Sequence, residues 1–542
     1  MDEGQLWSPE VRGRLPDFNL KYRRYQEMRD VRVCVGIDLS RRSKHKGVIK
    51  RGSSESQPGR KEVFSFSHDM DGFRRLREHI LKSTGARSLE GVSINVEPTS
   101  GVWEPVLAIF SKWGAEVYFT RADVVSAIRR AQSKFTKSDR IDAHTLSGMP
   151  WSMPERMVRY VSVEPRIRKL RELTAQRQRI VEEVVRWKNR LIAKLEPLWQ
   201  PLLVMLKKEQ RFSRLLRAFF KKFPVPSALM TYGRKRFDSW FDKHAHLNTE
   251  PELRDLLWEG AEKSAEIENE LKELYPEKEF FAMLYAQYLR IIETLEQELQ
   301  YIEQEIDKAR KDVPECDVVQ QIPGIGKVIA PSITALLMPV ERFSNAKKCG
   351  NYTGFTSRQK SSSGRETPGL RITKAGNPRL KRDLALAGDV AMRIDPQLAL
   401  FALRLLERGK HYNKVRVAVG RKCAVRAYSL LKRITRGEQN VTYVFRDLQG
   451  NVISREQARS IAQTIWAVYD IRNQKNKSAK TRFIRGSHKT PHSGYSGLSL
   501  INTIAEDRCG VQEKSLTNAQ KKYTQLYRAL VENLCKKIPK NT

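Results

Sequence analysis

The stretch KFTKSDRIDAHTLS, residues 134–147, sets Asp139 and Asp142 three positions apart. On a helix, positions i and i+3 share a face, so both carboxylates can address one cation or one reacting group. The same residues also suit a helix start, with Ser138 or Asp139 as N-cap and Asp142 in the first turn against the helix dipole. Two more carboxylates bear on the choice. Asp38 closes the apolar run VRVCVGIDLS (31–40), and Glu97 closes GVSINVEP (91–98). Hard divalent cations take oxygen ligands, and two of them about 4 Å apart activate the attacking oxygen and stabilise the leaving oxygen of a phosphodiester. Asp38, Glu97, Asp139 and Asp142 form a donor set of that kind, suited to a pair of Mg²⁺ ions.

The elements that must carry these residues follow from the alternation of apolar and turn residues. Segment 31–40 reads as a buried strand, and KGVIKRG (46–52) and KEVFSFS (61–67) as half-buried strands of an antiparallel meander. An amphipathic helix (71–83), a strand (91–98), a helix (102–113) and a strand AEVYFTR (115–121) follow, and helices close the unit. The order βββαβαβα predicts a ribonuclease-H-like fold, whose fourth strand lies beside the first. Asp38 and Glu97 then end neighbouring strands, and Asp139 and Asp142 lie on the helix after the fifth.

Charge points the same way. The chain has 542 residues, 100 Lys and Arg against 62 Asp and Glu, and a formal net charge of +38, spread along its length. An extended polyanion is the expected partner, with affinity that falls steeply with salt. Residues 1–30 lack a signal-peptide core, and no apolar run approaches the roughly 18 residues of a membrane span, so a soluble intracellular protein is expected. Six cysteines (Cys34, Cys316, Cys349, Cys423, Cys509, Cys535) show no C-x-x-C spacing, so neither a zinc module nor a disulfide framework is indicated and reduced structural thiols are expected.

The middle of the chain is helical. Tyr288, Ile292, Leu295, Leu299, Ile302, Ile306 and Ala309 alternate at spacings of 4 and 3, a coiled-coil seam that fits either an intramolecular pair or a dimerising stalk. Pro, Gly and aromatic residues at 219–243 read as an inserted lobe. In VVQQIPGIGKVIAPSITALL (318–337), Gly324 and Gly326 form the turn of a helix-hairpin-helix, where backbone N–H groups approach a phosphate. Next, GNYTGFTSRQKSSSGRETPGLRITKAGNPRLKRDLALAG (350–388) holds three serines in a loop flanked by Arg358, Lys360, Arg365, Arg371 and Lys374, followed by Arg379, Lys381 and Arg382. A serine-rich loop alone is usually flexible surface. Beside a metal site for phosphodiesters, a serine ringed by cations is a candidate nucleophile.

Six motifs, GIDLS, VEPTSGVWEP, TKSDRIDAHTLS, IPGIG, YTGFTSRQKSSSG and ITKAGNPRLKRDL, resemble in order the insertion-sequence transposases of the IS110 family with its IS1111 branch, over about residues 31–435. The resemblance implies a RuvC-like domain with an Asp-Glu-Asp-Asp tetrad, joined by a coiled coil to a transposase domain bearing an essential serine. It also implies a bridge RNA that pairs with both donor and target double-stranded DNA. Carried onto this sequence, the tetrad falls on Asp38, Glu97, Asp139 and Asp142. The serine falls on Ser362 when counted from GFT to TKAG, and on Ser363 when counted back from the Ser-Gly pair.

The expected architecture is therefore α/β plus α. It comprises an N-terminal extension (1–30), a RuvC-like catalytic domain (31–160), a coiled-coil region (161–312) with a lobe at about 219–260, a transposase domain (313–440) and a basic C-terminal extension (441–542). The expected activity is RNA-guided, Mg²⁺-dependent strand cleavage and exchange through a serine–DNA intermediate and a four-way junction. A homodimer or dimer of dimers, acting in a prokaryotic cytoplasm at the nucleoid and away from any membrane, goes with it. Two alternatives stand beside this reading. One is a RuvC-type junction nuclease that uses water, which leaves the serine loop unexplained. The other is a non-catalytic nucleic-acid-binding protein, which leaves the four placed carboxylates unexplained.

Overall fold

The computed structural model describes residues 33–477 apart from 53–62, 99–100, 133–137, 246–249, 251, 272, 275–276, 357–360, 363–364, 367–371 and 374. The chain divides into two compact units, with the boundary between Val163 and Glu164.

The first unit is a mixed α/β layer. Strands β1 (Val33–Asp38), β2 (His45–Arg51) and β3 (Val63–Phe66) form the meander, followed by α1 (Met70–Thr84), β4 (Val92–Val96), α2 (Trp103–Lys112) and β5 (Glu116–Thr120). Helices α3 (Ala122–Gln132) and α4 (Asp139–Ser152) precede β6 (Met157–Arg159). The sheet order is β3-β2-β1-β4-β5-β6, parallel at β1–β4 and β4–β5 and antiparallel elsewhere. The expected placement of the fourth strand beside the first is what the sheet has. Strand β6 was not expected; it is a three-residue edge strand whose identity depends on pairing with β5 rather than on its own pattern.

Period-2 alternation sorts β1 and β4 onto two faces. Val35, Ile37, Val92, Ile94 and Val96 join one apolar core with Phe73, Leu76 and Ile80 of α1 and Val106, Leu107 and Phe110 of α2. Cys34, Gly36, Ser93 and Asn95 take the other face, which α4 covers.

The second unit is mainly helical. It opens with α5 (Pro165–Met205), continues through α6 (Arg214–Lys222), α7 (Pro226–Tyr232), α8 (Arg234–His244) and α9 (Glu252–Glu270), and returns along α10 (Lys278–Lys311). Arg166 meets the carbonyl of Asp312 at 3.1 Å, Arg177 meets Glu303, and the Tyr285 hydroxyl donates to the carbonyl of Lys194 at 3.1 Å. These contacts run in opposite directions along α5 and α10, so the seam is satisfied by an antiparallel pair within one chain. Ile292, Ile306 and Ala309 are buried as expected, while Tyr288, Leu295, Leu299 and Ile302 are half-buried. Burial shifts instead to Phe281, Tyr285 and Leu289, because the lobe helices pack there around Trp199, Phe219, Phe220 and Phe237.

Beyond α10 come α11 (Glu315–Gln320), α12 (Ala330–Leu337), α13 (Ala346–Tyr352), a short hairpin β7 (Ser361–Ser362) and β8 (Arg365–Glu366), α14 (Pro378–Ala391), α15 (Pro396–Glu407) and α16 (Tyr412–Thr435). The chain then forms β9 (Phe445–Arg446), β10 (Val452–Ile453) and α17 (Arg455–Lys477). Residues expected to belong wholly to a basic extension are therefore partly built into the core. Ala462 and Ile465 of α17 pack on Ala399 and Leu403 of α15, and the Trp466 indole donates to the carbonyl of Met392 at 2.6 Å. The basic stretch 473–494 lies for the most part outside the described residues.

Candidate active site

Asp38 and Glu97 end adjacent strands of the first unit, under the helix whose first turn carries Asp139 and Asp142. Ile37 pairs with Val96 across the parallel ladder, so Asp38 and Glu97 follow at the ends of adjacent strands. Alternation puts both on the face of Gly36 and Asn95, the face under α4. A Cβ on Gly36 would lie 2.2 Å from the Ala143 carbonyl oxygen and 2.2 Å from the Ser147 nitrogen, so β1 and α4 meet backbone to backbone. The Asn95 side-chain amide donates to the carbonyl of Leu146 at 3.0 Å and its oxygen accepts from the Thr120 hydroxyl at 3.0 Å. The Cys34 thiol lies 4.0 Å from the same carbonyl. Cys34 thus meets Leu146, and Gly36 meets Ala143. Helix α4 runs antiparallel to β1, and its first turn, with Asp139 and Asp142, lies toward Asp38.

The two readings of KSDRIDAHTLS resolve into separate residues. Ser138 is the N-cap, its hydroxyl oxygen accepting from the Ile141 N–H at 3.3 Å. Asp139 is left exposed in the first turn. Asp142 is buried, and Arg129 of α3 donates from Nη1 to both its oxygens, at 2.7 and 2.6 Å. Among the described residues no three His, Cys, Asp or Glu side chains are close enough to share a metal ion. The fold gathers the carboxylates on one face without closing them onto a single point. The donor set still suits a hard divalent ion: all ligands are carboxylate oxygens, and the buried Asp142 already requires a cation, which Arg129 supplies.

In the second unit the serine segment is a two-strand ribbon. Ser361 pairs with Glu366 and Ser362 with Arg365, so Ser362 is the register partner of a cation. Ser363 lies outside the described residues, as do Arg358, Lys360, Arg371 and Lys374. The ribbon is fastened at its base. The Thr373 N–H donates to the Thr356 carbonyl at 2.9 Å, and Lys381 Nζ donates to the Thr373 carbonyl at 2.8 Å. Arg421 of α16 donates to the Phe355 carbonyl at 3.1 Å and to Asn351 Oδ1 at 2.8 Å. Gly354 adopts φ +72°, and a Cβ there would sit 2.0 Å from the Ala375 carbonyl oxygen, so the two ends of the segment cross in contact.

The remaining expected phosphate contacts divide by environment. Arg382 pairs with the buried Asp383 at 2.8 Å, and Lys381 is spent on the ribbon base, where burial pulls its pKa down. Arg379 is half-buried, and its Nη1 is enclosed with no hydrogen-bond partner among the described residues; burial holds its pKa below the ordinary guanidinium range while Glu172 of α5 opposes the shift. Gly324 has φ +80°, and a Cβ would lie 2.1 Å from the Ala387 carbonyl oxygen, so its need for glycine arises from packing against α14. Gly326 and Lys327 are exposed at the turn.

Arg129, Asn95, Thr120 and Gly36 were not anticipated as parts of the site. The alternation V-S-I-N-V in β4 was the available signal for Asn95, since a polar residue on the alternate face of a buried strand needs a partner.

Residues 35–199 match a family model described as a DEDD transposase of IS110, and residues 316–402 match one described as transposase of the IS116/IS110/IS902 family. The first region holds all four carboxylates, and the second holds the Ser361–Glu366 ribbon and the Gly324 turn. A transposase for insertion sequence element IS1111A from Coxiella burnetii (strain RSA 493 / Nine Mile phase I) is 32% identical over 136 residues. That match covers 24% of this chain and 36% of the relative, about a third of its length.

Proposed function

We propose that this chain is a transposase of the IS110 family, a reading its two matched regions support, and that it is an RNA-guided DNA recombinase that inserts and excises its own element. What supports the reading is the corner at which Asp38 and Glu97 end neighbouring strands under α4, whose first turn carries Asp139 and Asp142, in a protein of net charge +38. A charge-only nucleic-acid binder would not need that corner.

Asp38, Glu97, Asp139 and Asp142 would hold Mg²⁺, in a pair of ions that supplies positive charge to the attacking and leaving oxygens of a phosphodiester. Ser362 is the nucleophile. Its Oγ forms a bond to phosphorus as the bond to the 3′ oxygen breaks, and the serine proton ends on the leaving oxygen, which gives a phosphoserine link and a free 3′-hydroxyl. Arg365, the register partner of Ser362, supplies charge for the pentavalent phosphorus. Attack by a second strand's 3′-hydroxyl on the phosphoserine restores the serine and passes the strands through a four-way junction.

The carboxylates and the serine belong to different units of the chain, so one active site is completed within a subunit or between two. A homodimer or dimer of dimers on donor and target DNA follows from the second arrangement. Among the described residues no helix is long and apolar enough to cross a membrane, and we assign the protein to the cytoplasm, on the nucleoid. The RNA element of the reading is tested by sequencing the nucleic acid that copurifies with the full chain. A single discrete RNA with two loops complementary to donor and target supports guidance, and heterogeneous cellular RNA overturns it.

A further inference from the structure

Arg129 stands in the last turn of α3 and closes on Asp142 of α4. The pair is nearly enclosed, with side-chain exposures of 15% and 7%. Both carboxylate oxygens are engaged by the same guanidinium nitrogen, and the only other hydrogen bond of this side chain among the described residues is a long one, 3.4 Å from Nη2 to the Ser126 hydroxyl. A guanidinium has five N–H donors; three are engaged in these bonds, and the Nε donor and one Nη2 donor have no partner among the described residues. Asp142 sits in the first turn of α4, beside the ends of β1 and β4.

A cation already holds the carboxylate that the reading above assigns to metal. A divalent ion on this carboxylate repels the guanidinium that already spans both its oxygens, so the two cations compete for Asp142. Once displaced, Arg129 would be a buried cation without a counter-ion, an expensive state unless an anion replaces Asp142. A phosphodiester offers that replacement in the right shape, since its two non-bridging oxygens present the same paired acceptors as a carboxylate. We propose that Arg129 is a positioning residue that exchanges counter-ions: it holds Asp142 before substrate arrives, and it passes to a DNA phosphate as a divalent cation takes Asp142. This rests on the assignment of Asp142 as a metal ligand. Its consequence is reciprocal coupling: DNA tightens metal binding, and metal tightens DNA binding by the same factor. A guanidinium that merely ties α3 to α4 would produce no such coupling.

The experiment uses the full-length protein carrying Ser362→Ala, so that bound DNA is not processed. Mn²⁺, a paramagnetic probe of the Mg²⁺ site, is titrated by electron paramagnetic resonance with and without duplex DNA. The parent should bind Mn²⁺ about tenfold more tightly with DNA present, the scale of one charge-assisted hydrogen-bonded pair. Arg129→Gln should raise DNA-free Mn²⁺ affinity to the DNA-bound level and abolish the coupling, and Arg129→Lys should leave an intermediate coupling. Circular dichroism reports folding; if Arg129→Gln does not fold, the lysine variant decides, and full parental coupling in it overturns the proposal. Equal Mn²⁺ affinities and equal coupling in a folded Arg129→Gln also overturn it. Asp38→Asn and Asp142→Asn separate the two layers of the argument. If they bind Mn²⁺ as the parent does, the metal assignment fails; if they lose Mn²⁺ while Arg129→Gln is parental, only the exchange fails.

Discussion

Gly36→Ala changes one hydrogen into a methyl group two residues before Asp38, yet the expected loss is catalytic. The new Cβ would lie 2.2 Å from backbone atoms of Ala143 and Ser147, where ordinary contact begins at 3.4 Å. Neither neighbour is a flexible side-chain end, so α4 must retreat from β1 by about 1.2 Å, and Asp139 and Asp142 move with it. Overpacking of this kind costs about 1–3 kcal/mol, and misplacement of catalytic groups by about 1 Å costs roughly 10²-fold in rate. The assay is strand cleavage of end-labelled DNA at saturating Mg²⁺, alongside a thermal melt of the same preparation. Gly148→Ala is the control on the same helix. Its Cβ would meet only the end of the Lys50 side chain at 3.7 Å, so melting should hold or rise by the ~0.5–1 kcal/mol that alanine gains over glycine within a helix, with cleavage retained. Parental cleavage and melting in Gly36→Ala would refute the argument that β1 and α4 are locked backbone to backbone to set the carboxylates.

Two further expectations follow from the same geometry and from charge. Asn95→Leu strands the Thr120 hydroxyl and the Leu146 carbonyl in the sheet–helix interface, and at about 1–3 kcal/mol for each buried group left unpaired it should lower the melting temperature and slow cleavage without weakening DNA binding; unchanged melting would show that the two bonds do not anchor α4. Removal of residues 478–542 takes away twelve Lys and Arg and four Asp and Glu, which lowers the net charge from +38 to +30, so the log–log salt dependence of DNA or RNA affinity should flatten by nearly one unit for each lost phosphate contact while α17 stays packed; an identical slope in a gel-shift titration would show that this segment makes no phosphate contacts.

How much could be read in advance depended on whether the determining partners were local. Strands β1 to β5 announce themselves because each alternates or runs apolar between turn residues, and the end positions of Asp38 and Glu97 follow from that pattern alone. Strand β6 does not, since three residues carry no period. Asp142 was recognisable as a carboxylate on a helix face, but its partner was not: Arg129 lies thirteen residues away, and only the packing of α3 on α4 selects it. Gly324 shows the converse case. Its motif suggested approach to a phosphate, and the atom its Cβ would strike is the Ala387 carbonyl, a contact fixed by the distant helix α14. Helix α17 has a legible apolar face, since Ala458, Ile461, Ala462 and Ile465 recur at helical spacing, but the charge of the stretch that follows it favours reading the whole segment as a basic extension.

We propose above that the four carboxylates and Ser362 act on one phosphodiester. It is tested most directly by incubating the full chain, with its copurified RNA and Mg²⁺, with end-labelled donor DNA, then running a denaturing gel and mapping any protein-linked band to a peptide. The expected result is a covalent adduct at Ser362 that survives denaturation, is absent from Ser362→Ala, and is absent from Asp38→Asn although that variant still binds DNA. An adduct at Ser363 would move the register by one residue. Cut DNA ends with no protein attached would contradict the serine mechanism and leave a water-using nuclease in its place.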